Sequence, residues 1–133
     1  MPRPAMSLAV AGADFPNRKG PGRRFEIAMC SPGEAVELRP EPNNPADPRA
    51  IAVYSIRGIQ IGYLTAERAP LIGGMLANGH DVRTVFQSST RAGAIIRAGF
   101  DGEAPALPPA VGREEPAAYG EDGFYPDEEW PDF

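Results

Sequence analysis

Cys30 and His80 are the only residues of their kinds in the chain, so a thiol nucleophile with its base would have to be built from that pair. One Cys and one His also fall short of the ligand set of a Cys/His zinc site. Cys30 lies in a strand-like apolar stretch and His80 just past a helix stop, with nothing in the sequence to join them. A buried thiol and a surface imidazole are the plainer reading. No G-x-x-x-x-G-K-[ST] phosphate loop occurs, and no G-x-G-x-x-G opens a helix after a strand. Glu41, Asn43, Asn44 and Asp47 stand among four prolines and could offer oxygens to a hard cation, but their spacing is not that of an EF-hand loop. Asx turns, in which such side chains bond their own backbone, explain them more simply. These residue types predict no enzyme, no cofactor and no metal site.

The 133 residues suit one small domain, and their formal net charge of −5 at first argues against a polyanionic partner. The average hides two segments. Residues 1–100 hold 12 Lys/Arg and 8 Asp/Glu, a balance of +4, whereas residues 101–133 hold one basic and ten acidic side chains, a balance of −9. The second segment also has 10 Pro or Gly and only four Val, Ile, Leu or Phe, too little apolar surface to offset the entropy of ordering it. The expectation is a frayed start at 1–6, a mildly basic domain at 7–100 and an acidic, disordered tail at 101–133. No apolar run approaches the ~20 residues that span a bilayer, and no signal segment opens the chain. A cytoplasmic location without membrane attachment is expected, nucleoid-associated if DNA is bound.

Short elements must position whatever the domain binds. Apolar or alternating stretches predict strands over 7–11, 24–30, 35–39, 51–54, 59–64, 81–88 and 93–100. Residues 15–22, with Arg18 and Lys19 among Pro and Gly, predict a basic loop, and 40–48 a stiff irregular one. Ser55 to Gly58 reads as a hairpin turn in which Gly58 supplies positive φ. One helix follows, capped by Thr65, tolerating Pro70 in its first turn and stopped by Asn78-Gly79. Ala69, Ile72, Met75 and Leu76 give it one apolar face. The fold class is mainly β with one or two helices, a small six-stranded barrel of OB-like or SH3-like size.

The stretch "VELRPEPNNPADPRAIAVYSIRGIQIGYLTAERAPLIGGML" at 36–76 resembles the HIRAN domain family. The pattern of that family is L-x-R-x-P-x-N-x-x-D-x-x-A-I-x-V, then a hairpin with G-x-x-x-G-[HY]-[LI], then a helix rich in Ala and Leu. The matching positions are Leu38, Glu41-Pro42, Asn43-Asn44-Pro45, Asp47, Ala50-Ile51, Val53, Gly58, Gln60, Gly62-Tyr63-Leu64 and Ala69. The resemblance covers about residues 7–100 and implies a modified OB-like barrel. It also implies a non-catalytic module that captures the 3′ end of single-stranded DNA, as in a eukaryotic fork-remodelling helicase. By that likeness Asp47 accepts a hydrogen bond from the terminal 3′-hydroxyl, and Asn43 and Asn44 shape the same pocket. Tyr63 stands where the helicase has His, and Arg23, Arg24, Phe25 and Arg49 supply basic and aromatic contacts. Ala46 departs from the family, which carries an aromatic before the Asp, so Phe25 or Phe86 would have to make the base contact.

The chemistry of such a site is coherent. A carboxylate accepts from a free hydroxyl and repels a phosphate, so it tells a free end from a phosphorylated one. Aromatic stacking holds bases without reading their sequence, at about 1–3 kcal/mol per base. Against this stand plainer readings: Tyr63 shares strand parity with Ile59 and Ile61 and is half core, the 43–47 side chains brace their loop, and the arginines are a solvated surface. The tail holds five of the eleven aromatics, and alternating acids and rings there outline a competitor for the basic groove. The other function class is an adaptor that keeps the fold without DNA binding, its tail recruiting a helicase or other repair protein.

Overall fold

Leu8 and Val10 are buried in β1 (Met6–Ala11) and alternate with the half-buried Ser7, Ala9 and Ala11, as a strand with one face on a core requires. The computed structural model describes residues 3–108; the acidic, aromatic part of the tail lies outside the described residues. The elements run β1, α1 (Arg23–Met29), β2 (Ala35–Pro40), β3 (Ile51–Tyr54), β4 (Gln60–Leu64), α2 (Ala69–Ala77), β5 (Val82–Ser89) and β6 (Ala94–Phe100). The six strands close into an antiparallel barrel in the order β1-β4-β3-β2-β5-β6. The closing seam pairs Met6 with Ala98 and Val10 with Ala94, and Arg3 lies over the Phe100 ring at 6.0 Å. Register shifts at Val53/Tyr54 and Phe86/Ser88 add the local twist that so small a barrel needs.

The interior is filled by Leu8, Val10, Val36, Ile51, Val53, Ile61, Phe86, Ile96 and Phe100, with Ile27 of α1 and Ile72 and Met75 of α2 packed against them. Helix α2 has Pro70 in its opening turn, where the missing N–H costs nothing. Arg68, not Thr65, is its N-cap residue; Thr65 accepts the Arg68 and Ala69 amides one turn earlier through its carbonyl. The expected stop holds: Gly79 has φ +84, and the amides of Gly79 and His80 bond back to Leu76 and Met75, a Schellman closure. Gly58 has φ +80 in the β3–β4 turn. Among the described residues no helix is long and apolar enough to cross a membrane.

The stretch 24–30, expected as a strand, is a helix. Phe25, Ile27 and Met29 alternate in type, but burial follows Arg23, Glu26 and Ile27, a helical spacing. Its anchor is polar: Glu26, 2% exposed, accepts from the Ser55 hydroxyl and from Arg57 Nε, both at 2.6 Å. Glu34 takes a longer bond from the same guanidinium at 3.4 Å. This fastens α1 to the β3–β4 turn. Glu26→Ala leaves the buried Ser55 hydroxyl without its acceptor and should cost about 2–3 kcal/mol in urea unfolding. Glu34→Ala, on the wetter side of Arg57, should cost under ~1 kcal/mol. Equal losses would show that the buried oxygen is not the anchor.

Candidate functional site

Three segments distant in sequence meet beside β4 to form an open groove of about 600 Å³. Its walls are the basic loop 16–19 with Arg23, Ile59 of the β3–β4 turn with Gln60 and Tyr63 of β4, and Glu41, Asn44 and Pro45 of the proline-rich loop. Asn17 ties the first wall down: its Nδ2 donates to the carbonyls of Pro21 and Gln60, and its Oδ1 accepts from Arg23 Nε at 2.9 Å. Arg23 also donates to the Gly12 carbonyl at 3.0 Å and lies over the Tyr63 ring at 5.6 Å. It is only 8% exposed, a cation held in place by fixed acceptors, while Arg18 and Lys19 are exposed beside it.

The opposite wall turns on one carboxylate oxygen. Glu41 Oε1 accepts from the Tyr63 hydroxyl at 2.8 Å and from Asn44 Nδ2 at 3.0 Å. Asn44 Oδ1 in turn accepts the amides of Ala46 and Asp47, and Asp47 Oδ1 accepts the amide of Arg49 at 2.9 Å. The Asx turns expected from the sequence are therefore present. Burial first, and then the Glu41 carboxylate beside it, push the Tyr63 phenol above its ordinary value, so it stays a protonated donor. Among the described residues no group of three His, Cys, Asp or Glu side chains could hold a metal ion.

Of the nine residues expected at the site, the groove gathers Arg23, Asn44 and Tyr63. Asn43 and Asp47 lie on the same loop but do not line the groove, Asn43 exposed and Asp47 half-buried. Arg49 lines a separate hollow of about 480 Å³ with Pro40, Ile51, Ala69 and Pro70. Arg24, on α1, is held by Asp14 and by the Arg91 carbonyl, and its guanidinium keeps the Asp14 carboxyl below its usual range. Phe25 is 62% exposed. Phe86 corrects the expectation: at 3% exposure it belongs to the barrel core and has no face to offer a base. Tyr63 is half-buried, as strand parity suggested, yet its hydroxyl reaches the groove. Asn17 joins the groove with no local signal to mark it, because the Gln60 carbonyl that it holds is 43 residues away.

The family model described as the HIRAN domain matches residues 16–94, more than half of the chain. The chain belongs to the HIRAN domain family. This HIRAN chain is 39% identical over 57 residues to the helicase-like transcription factor of Oryctolagus cuniculus, and 35% over 57 residues to that of Mus musculus. Each alignment covers 43% of this chain and 6% of the relative, so the chain matches one small portion of those proteins. Among solved structures, the HIRAN domain of human HLTF superposes with a TM-score of 0.58 at 22% identity, over 72% of this chain and 74% of that one. A protein from Lactobacillus plantarum superposes at 0.61 with 16% identity, over 73% and 94%. At those identities the likeness speaks for the HIRAN fold.

Proposed function

We propose that this HIRAN domain is a non-catalytic DNA-binding module, and that its groove takes single-stranded DNA at a free 3′-hydroxyl end. HIRAN domains serve as DNA-binding modules in proteins of the HLTF type, and the match to those relatives is confined to that module. The observation that carries the reading is the wall opposition in the groove. Arg18, Lys19 and Arg23 stand on one side and a loop carboxylate on the other, with the Tyr63 ring between. Cations suit phosphates, the ring suits a base or sugar face, and the carboxylate suits a hydroxyl while repelling a terminal phosphate. The family resemblance gives the accepting role to Asp47. The acidic tail competes with DNA for the same cations, and a helicase or other repair protein is the partner class.

A short oligonucleotide with a 3′-hydroxyl should bind at least about tenfold more tightly than its 3′-phosphate twin, the worth of one charge-assisted hydrogen bond. Fluorescence anisotropy measures both. Equal binding would reduce the module to a general single-strand binder. Absence of binding to either would favour the adaptor reading, for which Phe25, Met29 and Ile56 supply exposed apolar surface.

A further inference from the structure

β6 turns Ala94, Ile96, Ala98 and Phe100 into the barrel core, so Arg97 and Gly99 lie on its outer face. Gly99 is buried there all the same, and what covers it is the chain's own continuation. A Cβ at Gly99 would stand 2.8 Å from the Pro105 nitrogen and 3.0 Å from the Ala104 carbonyl carbon, with the Glu103 carbonyl oxygen closer still. Arg97, the next outward residue, donates from Nε to the Ala106 carbonyl at 3.1 Å and from Nη1 to the Ser7 hydroxyl at 2.8 Å. Residues 103–106 therefore run back over β6, from its end towards its start, as a strap laid on the barrel wall. The reversal is built at Asp101 and Gly102, both left-handed, with φ +55 and +91. The Asp101 amide bonds the Asp81 carbonyl at 2.8 Å and its carboxylate meets His80 Nδ1 at 3.0 Å. Those contacts offset the cost of a left-handed backbone at a residue other than Gly. A trailing end would need no such fitting, and Pro105 stiffens the strap further.

We propose that this strap aims the acidic segment 109–133 along the outer face of β6 to the cations at its far end, and so delivers it to the groove. The inference rests on the reading above in which that segment competes with DNA, and names the device that directs it. Beyond the start of β6 is the β5–β6 turn, whose exposed Arg91 forms no ion pair among the described residues. The Arg91 carbonyl accepts from Arg24 Nη2 at 2.6 Å, which places the start of α1 at the same end. Arg23 of α1 lines the groove with Arg18 and Lys19. From Arg97 the start of β6 is about 10 Å away. Glu114 and Glu115 follow Leu107 by seven and eight residues, an extended reach of up to about 25 Å. The first acids thus arrive at Arg91, and the later run from Asp127 to Glu129 at the groove cations. Continued straight on from Phe100, the chain would leave from the opposite end of β6, about 20 Å from that turn.

Gly99→Ala releases the strap while leaving the length and charge of the chain untouched. The backbone φ of Gly99 lies outside the left-handed region, and the three atoms nearest the new methyl are all strap main chain, so the strap is what moves. The full chain and Gly99→Ala are compared at low salt with the same pair ended at Pro108, after the last strand of the barrel. In binding of a single-stranded oligonucleotide, Gly99→Ala should tighten the full chain by about threefold or more, towards the chain ended at Pro108. It should leave the shortened chain unchanged. Trp130, the one tryptophan of the chain, reads docking without DNA: acrylamide should quench it weakly in the full chain and freely in Gly99→Ala. Arg97→Met drops the bond to Ala106 without adding bulk beneath the strap. It should act alike, and it decides the matter where Gly99→Ala lowers the melting temperature. If ending the chain at Pro108 tightens binding while both substitutions leave the full chain at the wild-type value, the competitor stands and the strap does not aim it. Equal binding by the full and shortened chains removes the competitor and the strap's role with it. If no chain binds DNA but Trp130 is shielded in the wild type and released by Gly99→Ala, the strap stands and the DNA reading falls. Free quenching of Trp130 in the wild type overturns the inference.

Discussion

Gly62→Ala should leave the chain without a stably closed barrel. A Cβ at this position would lie 2.3 Å from the Ala11 carbonyl oxygen and 2.8 Å from Val10 Cγ1, on a backbone with φ +154. The first of these atoms is main chain of β1 and cannot rotate away. β1 and β4 are joined by just two residue pairs, Val10 with Leu64 and Ala11 with Tyr63, so the added methyl has to part the seam itself. The cost should be at least about 3 kcal/mol, from overpacking and backbone strain together. That is a large share of the roughly 5–15 kcal/mol that holds a domain folded. Two other glycines calibrate it. Gly58→Ala meets nothing within 4 Å but keeps φ +80, and should cost about 1–2 kcal/mol. Gly74→Ala, in α2 with open space and ordinary φ, should gain about 0.5–1 kcal/mol. Urea unfolding followed by circular dichroism orders the three. If Gly62→Ala unfolded at the same urea concentration as Gly58→Ala, close approach at the seam would not be what requires glycine.

Binding of single-stranded DNA should weaken steeply with salt, by roughly 20-fold between about 50 and about 200 mM. The figure follows from about three phosphate contacts, at Arg18, Lys19 and Arg23, each contributing about −0.7 to the slope of log K against log salt. Replacing Arg18 and Lys19 together by Ala should flatten the slope to about −0.7, since Arg23 alone remains on that wall. Its guanidinium is already anchored to Asn17 and Gly12, so it loses little freedom on meeting a ligand. Residues 109–133 carry one basic and eight acidic side chains, so ending the chain at Pro108 changes the net charge from −5 to +2. The shortened chain should bind more tightly at low salt, and the gap should close as salt rises, because a tethered competitor acts at millimolar effective concentration and through the same screened charges. A salt-independent affinity would mean that the groove cations meet no phosphate. Equal affinities of the two chains at low salt would remove the tail as a competitor.

The strands are legible from alternation, as at Leu8 and Val10 or Val36 and Leu38, and from short apolar runs such as Ile51 to Val53, whose three residues are all buried. α1 was not, because its apolar residues advertise the wrong period. Phe25 and Met29 are exposed, and the buried set includes Arg23 and Glu26, whose burial only makes sense once Arg57, Ser55 and Asn17 are beside them. The site divided the same way. Asn44 and Tyr63 belong to a contiguous pattern and could be read from it. The convergence of Tyr63 and Asn44 on one oxygen of Glu41 joins residues 22 positions apart, and no spacing rule encodes that. Alternation alone leaves open which face of β5 points inward, and the barrel turns Phe86 to the core.

The seam that closes the barrel also sets how the domain can be connected to other proteins. Met6 pairs with Ala98, and Arg3 lies over Phe100, so the chain enters and leaves at one spot. A unit with adjacent entry and exit can be spliced into a surface loop of a host without prying its flanks apart. Such a connection leaves the groove's geometry to the barrel alone, and the host needs only to supply two neighbouring points of attachment.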